Sequence, residues 1–348
     1  MAPNMIGDFF SSGGFYYNNY HMVYSSSCCS FPGPGAVIGS TKIAENSSPI
    51  PQDRFFFNYS YFDSTSLYPG DVDVHRFTPG FEKTFLYGNA SFEMRFPMAS
   101  TLDSSIDMES LAPNTSSYEF GNIAMTPKVL LRRTCCGALS AGMTITVPTA
   151  DDIEATMADG TVVGRIENEA VHLMPFVGFV YTPNPCWFAQ GYLQYDVATT
   201  GNRALIDYDG INGLQEVGYV NDTTFQYLDL SIGRWLYQSC QSMCCERLRS
   251  VAFTTEVHWN KSLQEGDFIE ETTGLYGVGN FAENVDIWDL TLGLHVRLCD
   301  TTITAAYIVP LTDGPDRPFD GEFRLIVNRW FGRSSENYGY GAYPGIFP

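Results

Sequence analysis

The stretch WDLTLGLHVRL, residues 288–298, alternates strictly along its length. Trp288, Leu290, Leu292, Leu294, Val296 and Leu298 share one parity, and Asp289, Thr291, Gly293, His295 and Arg297 share the other. Period two marks an extended strand whose two faces meet different media. The pattern returns at Val251–Asn260 and Trp187–Val197, and in weaker form along most of the chain. It predicts twelve strands, near residues 54–62, 74–86, 90–97, 122–132, 138–148, 171–182, 187–198, 225–237, 249–260, 286–298, 301–310 and 322–331. These lengths suit a tilted strand that crosses a bilayer, which needs roughly 9–11 residues.

The connections between these strands alternate in length. Tyr87–Asn89, Arg133–Gly137, Pro183–Cys186 and Cys299–Asp300 are short, and Gln238–Leu248 is somewhat longer. Met98–Gly121, Thr149–Ala170, Thr199–Thr224 and Lys261–Val285 are long. Short turns at one end and long loops at the other are the layout of outer-membrane barrels. A β-sandwich has no reason to gather its long loops at one end. Three basic residues on the apolar parity, Lys83, Arg234 and Arg329, all fall late in strands that run toward the short-turn end. There they can reach lipid head groups rather than sit at mid-bilayer, where a basic side chain costs roughly 2–4 kcal/mol. The expected fold is therefore all-β: a closed antiparallel transmembrane barrel of about twelve strands.

Composition agrees. The 348 residues carry a net charge of −20, yet only 17% are charged and 15% are aromatic, which argues against an acidic disordered chain. An acidic field repels phosphate, so no nucleic-acid partner is expected. No apolar run approaches the roughly 20 residues of a membrane-spanning helix. The opening residues, MAPNMIGDFFSS, show neither a basic nor an apolar leader region, so a signal peptide is absent from this numbering. Three regions follow. Residues 1–50, rich in Gly, Ser, Tyr and Pro, form an irregular N-terminal segment, either a periplasmic tail or a plug in the lumen. Residues 51–331 form the barrel, and residues 332–348 an irregular tail.

Several segments resemble a known family. APNMIGDFF at Ala2–Phe10, SPIPQDRFFFNYSYF at Ser48–Phe62 and DVHRFTPGFEKTFLYGNASFEMRFP at Asp73–Pro97 are similar to a planctomycete family of outer-membrane β-barrel porins. The closing YIVPLT (307–312) and FDGEFRLIVNRWF (319–331) fit the same pattern. The resemblance implies a barrel in the bacterial outer membrane, with outer-membrane lipid around it. It supplies no catalytic residues and no cofactor.

The polar parity selects the lumen-facing set: Arg76, Glu82, Glu93, Arg95, Lys128, Arg132, His172, Asp196, Asp229, Glu256, His258, Asp289, His295, Arg297 and Arg324. In a hydrated lumen such groups tune ion selectivity; the alternative is that they pair and fill the interior. Negative charge gathers in the long loops, at Asp151, Asp152, Glu154, Asp159, Glu167 and Glu169, and at Glu265, Asp267, Glu270 and Glu271. An acidic mouth concentrates cations. No spacing matches a calcium loop, and no metal is expected.

Cys135, Cys136, Cys186, Cys240, Cys244, Cys245 and Cys299 fall at short turns, and Cys28 and Cys29 lie in the N-terminal segment. In an oxidising compartment all nine are disulfide candidates. Histidines at 172, 258 and 295 face inward with no serine in a nucleophile motif, so no enzyme is expected. Two functions remain open. One is a porin-like channel for passive diffusion of small hydrophilic solutes, weakly cation-preferring. The other is a structural or assembly protein of the envelope, with a closed lumen, a disulfide-linked rim, and copies of itself or an envelope protein as partner.

Overall fold

The computed structural model describes residues 2–8, 15–19, 30–31, 41–65, 72–100, 105–107, 118–207, 210–239, 248–264, 267–270, 276–279, 285–314 and 317–331. Twelve antiparallel strands close into a barrel: β1 (Arg54–Thr65), β2 (Val72–Phe85), β3 (Ala90–Arg95), β4 (Ile123–Arg133), β5 (Gly137–Val147), β6 (His172–Asn184), β7 (Trp187–Ala198), β8 (Phe225–Gln238), β9 (Leu248–Ser262), β10 (Asp286–Leu298), β11 (Thr301–Pro310) and β12 (Gly321–Trp330). Each pairs with its sequence neighbours, and β12 closes on β1 through the register Leu325↔Tyr59. Closure leaves no edge, which is the condition for β structure in hydrocarbon, where unpaired backbone groups cost several kcal/mol. All twelve strands lie where the alternation predicts them.

The two faces are inverted relative to a soluble protein. Phe55, Phe57, Val177, Phe179, Leu193, Leu230, Ile232, Leu292, Leu294, Phe323 and Leu325 are exposed on the outer wall. Arg54, Glu82, Lys128, Glu256, His258 and Arg324 are fully buried inside. Water would penalise that wall, whereas a hydrocarbon medium favours it. Aromatic side chains mark both ends of the apolar band. Trp259 stacks on Trp288 near the long loops, with ring centroids 5.5 Å apart. Phe55 meets Phe331 at 4.7 Å near the short turns. The three outward basic residues sit at that same end. Lys83 Nζ lies 3.1 Å from Asp53 and 5.5 Å from the Phe331 ring, and Arg234 lies over the Trp187 ring at 5.5 Å. Arg329 donates to Thr301 Oγ1 at 3.3 Å.

One lumen assignment is corrected. A register shift between Leu139 and Ser140 sets Leu139 opposite Arg132 but Ser140 opposite Leu130. The bulge inserts one extra residue and reverses the parity beyond it. Arg132 therefore shares the outward face of Leu139 and is exposed.

The long connections are not structureless. Short strands Ser105–Asp107, Ile153–Thr156, Val162–Ile166, Asn202–Ile206 and Gln215–Val220 form a separate five-stranded sheet. Arg165 pairs with Glu154 at 2.5 Å, and Arg203 pairs with Glu167, so part of the loops' acidity is neutralised locally. The N-terminal segment also departs from expectation. Phe15–Asn19 pairs antiparallel with Tyr276–Gly279, in the long connection between β9 and β10, and with Ser30–Phe31. The tail at residues 332–348 lies outside the described residues.

Candidate functional site: the lumen and its N-terminal arm

The barrel interior is occupied by the chain's own N-terminus. Residues 2–8 run inward from the short-turn end, and residues 41–53 return to β1. Ala2 packs among Leu130, Ala138, Val180, Phe188 and Ala252, near the short turns. Met5 sits deeper, with Ile43, Ala44, Phe176 and Tyr192. Asp8 lies beside Asn260, close to the long loops. The Phe15–Asn19 strand then belongs to a long connection. The arm thus spans the length of the lumen.

The two limbs hold each other and the wall. Met5 N–H donates to Ser47 O at 2.8 Å, and Asn46 N–H to Ile6 O at 3.2 Å. Gly7, at φ +78°, lets the limbs meet: a Cβ there would stand 2.6 Å from Glu45 Cα. Glu256 accepts the Ile6 N–H at 3.0 Å and the Gly7 N–H at 2.9 Å. Ile43 N–H donates to Gln194, and Lys128 Nζ to Ser48 O. Gln190 Nε2 donates to Pro3 O at 3.0 Å.

Charge is divided across the interior. One wall carries an arginine cluster, Arg76 on β2, Arg95 on β3 and Arg324 on β12, in which Glu93 pairs with Arg95 and Glu322 with Arg324, each at 2.6 Å. The other gathers anions: Asp229 on β8, Glu256 on β9 and Asp289 on β10. The arm turns tightly between them, with Glu45 N–H donating to Lys42 O at 3.1 Å. Glu45 enters the arginine cluster, 2.8 Å from Arg76 and 3.8 Å from both Arg95 and Arg324. Lys42 enters the carboxylate side, 2.5 Å from Asp8 and 2.6 Å from Asp229, and donates to Asn260 at 2.7 Å. Each arm charge meets its opposite in a buried site, where an uncompensated ion costs several kcal/mol.

Asp8, Asp229 and His258 offer three donor atoms close enough to surround a cation. That place is taken by the Lys42 ammonium, and the residues fit an ion-pair network better than a metal centre. A second network lies toward the short turns. Arg54 contacts Glu82 at 3.0 Å and Glu93 at 2.7 Å, and donates to Asn46 and Asn328. Lys128 meets Glu82 at 3.0 Å, and Arg95 meets Glu93 at 2.6 Å.

The other predicted lumen residues also face in. His258 bonds Asp229 at 2.8 Å, His295 bonds Thr304 at 2.8 Å, and Arg297 donates through Nε to Cys299 O. His172 bridges Asp196 at 2.7 Å and Asp222 at 3.0 Å, tying the wall to the loop before β8. Asp222 also accepts from Asn202 of the loop sheet.

Sequence reading missed Arg54 and Glu322, although both share the lumen parity of their strands. It also missed Asp8, Lys42 and Glu45, because the arm has no period to reveal a face. Cys135, Cys136 and Cys186 are free thiols at the short-turn end, with the first two sulfurs 3.2 Å apart. Cys299 occupies the β10–β11 turn. Cys28, Cys29, Cys240, Cys244 and Cys245 lie outside the described residues, as do Glu265 and Glu271.

No family model matches the chain, and no curated protein matches it. Solved structures match by shape. An outer-membrane channel of the COG4313 group from Pseudomonas putida F1 aligns over 82% of this chain and 97% of its own, with a TM-score of 0.50 and 11% identity. The NanC porin aligns over 80% and 100%, at 0.44 and 8%. The Pseudomonas putida toluene transporter TodX aligns over 93% and 99%, at 0.39 and 10%. At these identities the likeness concerns the fold, a transmembrane β-barrel of the outer-membrane type.

Proposed function

We propose that the protein is an outer-membrane channel for small hydrophilic solutes whose resting lumen is held shut by its N-terminal arm. The observation that carries this reading is the seating of Lys42 and Glu45 in two oppositely charged wall clusters. A wall evolved only to be filled needs no buried charge, since apolar packing is often as stable or more so. Charged walls with a charged, removable filler suit a polar conduit that opens when the filler leaves. With the arm displaced, Arg76, Arg95 and Arg324 would face Asp229, Glu256 and Asp289 across water. The acidic loops, with Asp151, Asp159 and Glu169 among their members, favour cations at the outer mouth.

Two measurements on proteoliposomes test it. A chain lacking residues 2–50, refolded to a heat-modifiable β-barrel, should admit small neutral sugars, and under a KCl gradient its reversal potential should favour K⁺ weakly. A folded, arm-less barrel that admits neither sugar nor ion would overturn the channel reading.

A second reading rests on a different observation. The free thiols of Cys135, Cys136 and Cys186 line the same rim. A filled barrel with free thiols on one rim suits an envelope assembly protein that joins copies of itself. Non-reducing electrophoresis of membranes separates the two: ladders lost on reduction favour assembly, and a single monomer band favours the channel.

A further inference from the structure

Lys42 is the only Lys or Arg among the first 50 residues, and its seat is built mostly by the wall. An ammonium carries three N–H donors. Here they meet three oxygens: Asp8 Oδ1 at 2.5 Å, Asp229 Oδ1 at 2.6 Å and Asn260 Oδ1 at 2.7 Å. The Tyr227 ring lies 5.3 Å from Nζ, within reach of a cation–π contact. Of these partners only Asp8 belongs to the arm. Tyr227 and Asp229 stand on β8 and Asn260 on β9, with Tyr227 opposite Asn260 and Asp229 opposite His258. Asp289 of β10 stands opposite His258 in turn. The wall's share of the seat thus comes from three adjacent strands.

The seat offers more acceptors than Lys42 uses. Asp229 and Asp289 are more than nine-tenths buried, yet Asp229 Oδ2 and Asp289 Oδ1 have no hydrogen-bond partner. Buried polar atoms are nearly always satisfied, so open carboxylate oxygens beside an ammonium point to a ligand with donors of its own. When the arm leaves, Lys42 and Asp8 leave with it. Asp229, Asn260, Asp289 and the Tyr227 ring stay, because they belong to the wall. A buried acidic patch stripped of its cation is unfavourable until another cation takes the place. The three acceptors converge on one nitrogen, which suits a compact ammonium rather than a planar guanidinium fork. The seat lies near the start of β8, below the acidic loops that gather cations.

We infer that Tyr227, Asp229, Asn260 and Asp289 form a binding station for a primary alkylammonium group, and that Lys42 is the tethered stand-in for that ligand while the arm is in place. The solute class of the conduit is then small primary amines, gathered by the acidic loops and received at Asp229. This rests on the reading of the barrel as a conduit that opens when the arm leaves. Room for the ligand is the room Lys42 itself vacates, and its counter-charge is the carboxylate that Lys42 releases.

The test uses the full-length chain carrying Lys42→Ala, which removes the atoms of a propylammonium and leaves the arm otherwise whole. Three probes are compared at equal concentration: propylammonium, propanol and tetramethylammonium. Propylammonium should raise the folded-to-unfolded ratio at the variant's own urea midpoint at least threefold, saturably. Propanol lacks the charge and tetramethylammonium lacks the N–H donors, so neither should act. The parent, whose station is filled by Lys42, should not respond. Asp8→Asn added to Lys42→Ala should keep the response, because the wall makes the station, and Asp229→Asn added to Lys42→Ala should abolish it. For a variant that does not refold unaided, refolding yield with and without each probe is read in the same order. No saturable response to propylammonium, an equal response to propanol or tetramethylammonium, or a response that survives Asp229→Asn would each overturn the assignment. None of these readouts involves flux, so failure here leaves the channel reading standing, and a barrel that never conducts leaves the measured station as it is.

Discussion

Single side chains decide what the lumen does. Glu45 is the sole arm carboxylate among three wall arginines, Arg76, Arg95 and Arg324. Removing one partner of a buried ionic cluster costs up to about 3–5 kcal/mol where the other partner is left uncompensated; Arg95 and Arg324 keep Glu93 and Glu322 at 2.6 Å, so the loss here falls mainly on Arg76. Glu45→Gln should therefore lower the urea midpoint of the refolded barrel by a readily measured amount, and an unchanged midpoint would show that the arginines do not depend on the arm. Asp53, at the rim before β1, gives a pH-dependent counterpart. Burial raises its pKa, but the Thr84 N–H, the Thr84 hydroxyl and Lys83 outweigh burial and hold it below the usual carboxylate range. A lowered folded pKa contributes stability above the unfolded value, about 3.9 for Asp, and that contribution is lost as pH falls through the folded value. The Thr84 amide should lose hydrogen-exchange protection, corrected for intrinsic rate, as pH drops below about 4. In Asp53→Asn that acid-dependent loss should vanish. Residue parity was readable in advance for most of the lumen, Arg54 included, but not for Arg132, because a bulge leaves no mark on hydrophobic alternation.

At the scale of elements, the barrel strands and the arm obey different rules. Strands announce themselves because lipid and lumen impose opposite chemistries on alternate residues, as in Trp288–Leu298. The arm mixes apolar residues such as Ala2, Met5 and Ile6 with charged ones such as Asp8, Lys42 and Glu45 in no fixed order, and it meets both kinds of wall residue, so neither period nor hydropathy distinguishes a lumen-filling limb from a tail. The loop sheet escaped notice for a related reason: strands of three to six residues carry too few alternations to read. Gly7 is the arm's weak point. Its positive φ disfavours any side chain, and an added Cβ would press into the Glu45 backbone. Gly7→Ala should separate the two limbs. Limited proteolysis of membrane-embedded protein should then cut the N-terminal segment faster than in the parent while the barrel fragment stays intact; equal cleavage rates would mean that the limbs are not held together at this point.

The molecule as a whole is a closed barrel whose interior is occupied by a segment of its own chain. The fold was legible in the sequence from strand length, parity and the alternation of short and long connections. The occupancy was not, because it depends on which charges meet in space: Lys42 with Asp229, some 190 positions away, and Glu45 with Arg324. The same network explains how an acidic chain buries so much charge. Arm and wall cations each sit against buried carboxylates, and further acidity is carried by the loops. Planar-bilayer recording tests this most directly, comparing the full chain with the chain lacking residues 2–50. The full chain should show little or no steady conductance, and the arm-less barrel a stable, markedly larger step in the same salt. Equal conductance from the two, both folded, would contradict the claim that the arm closes the lumen.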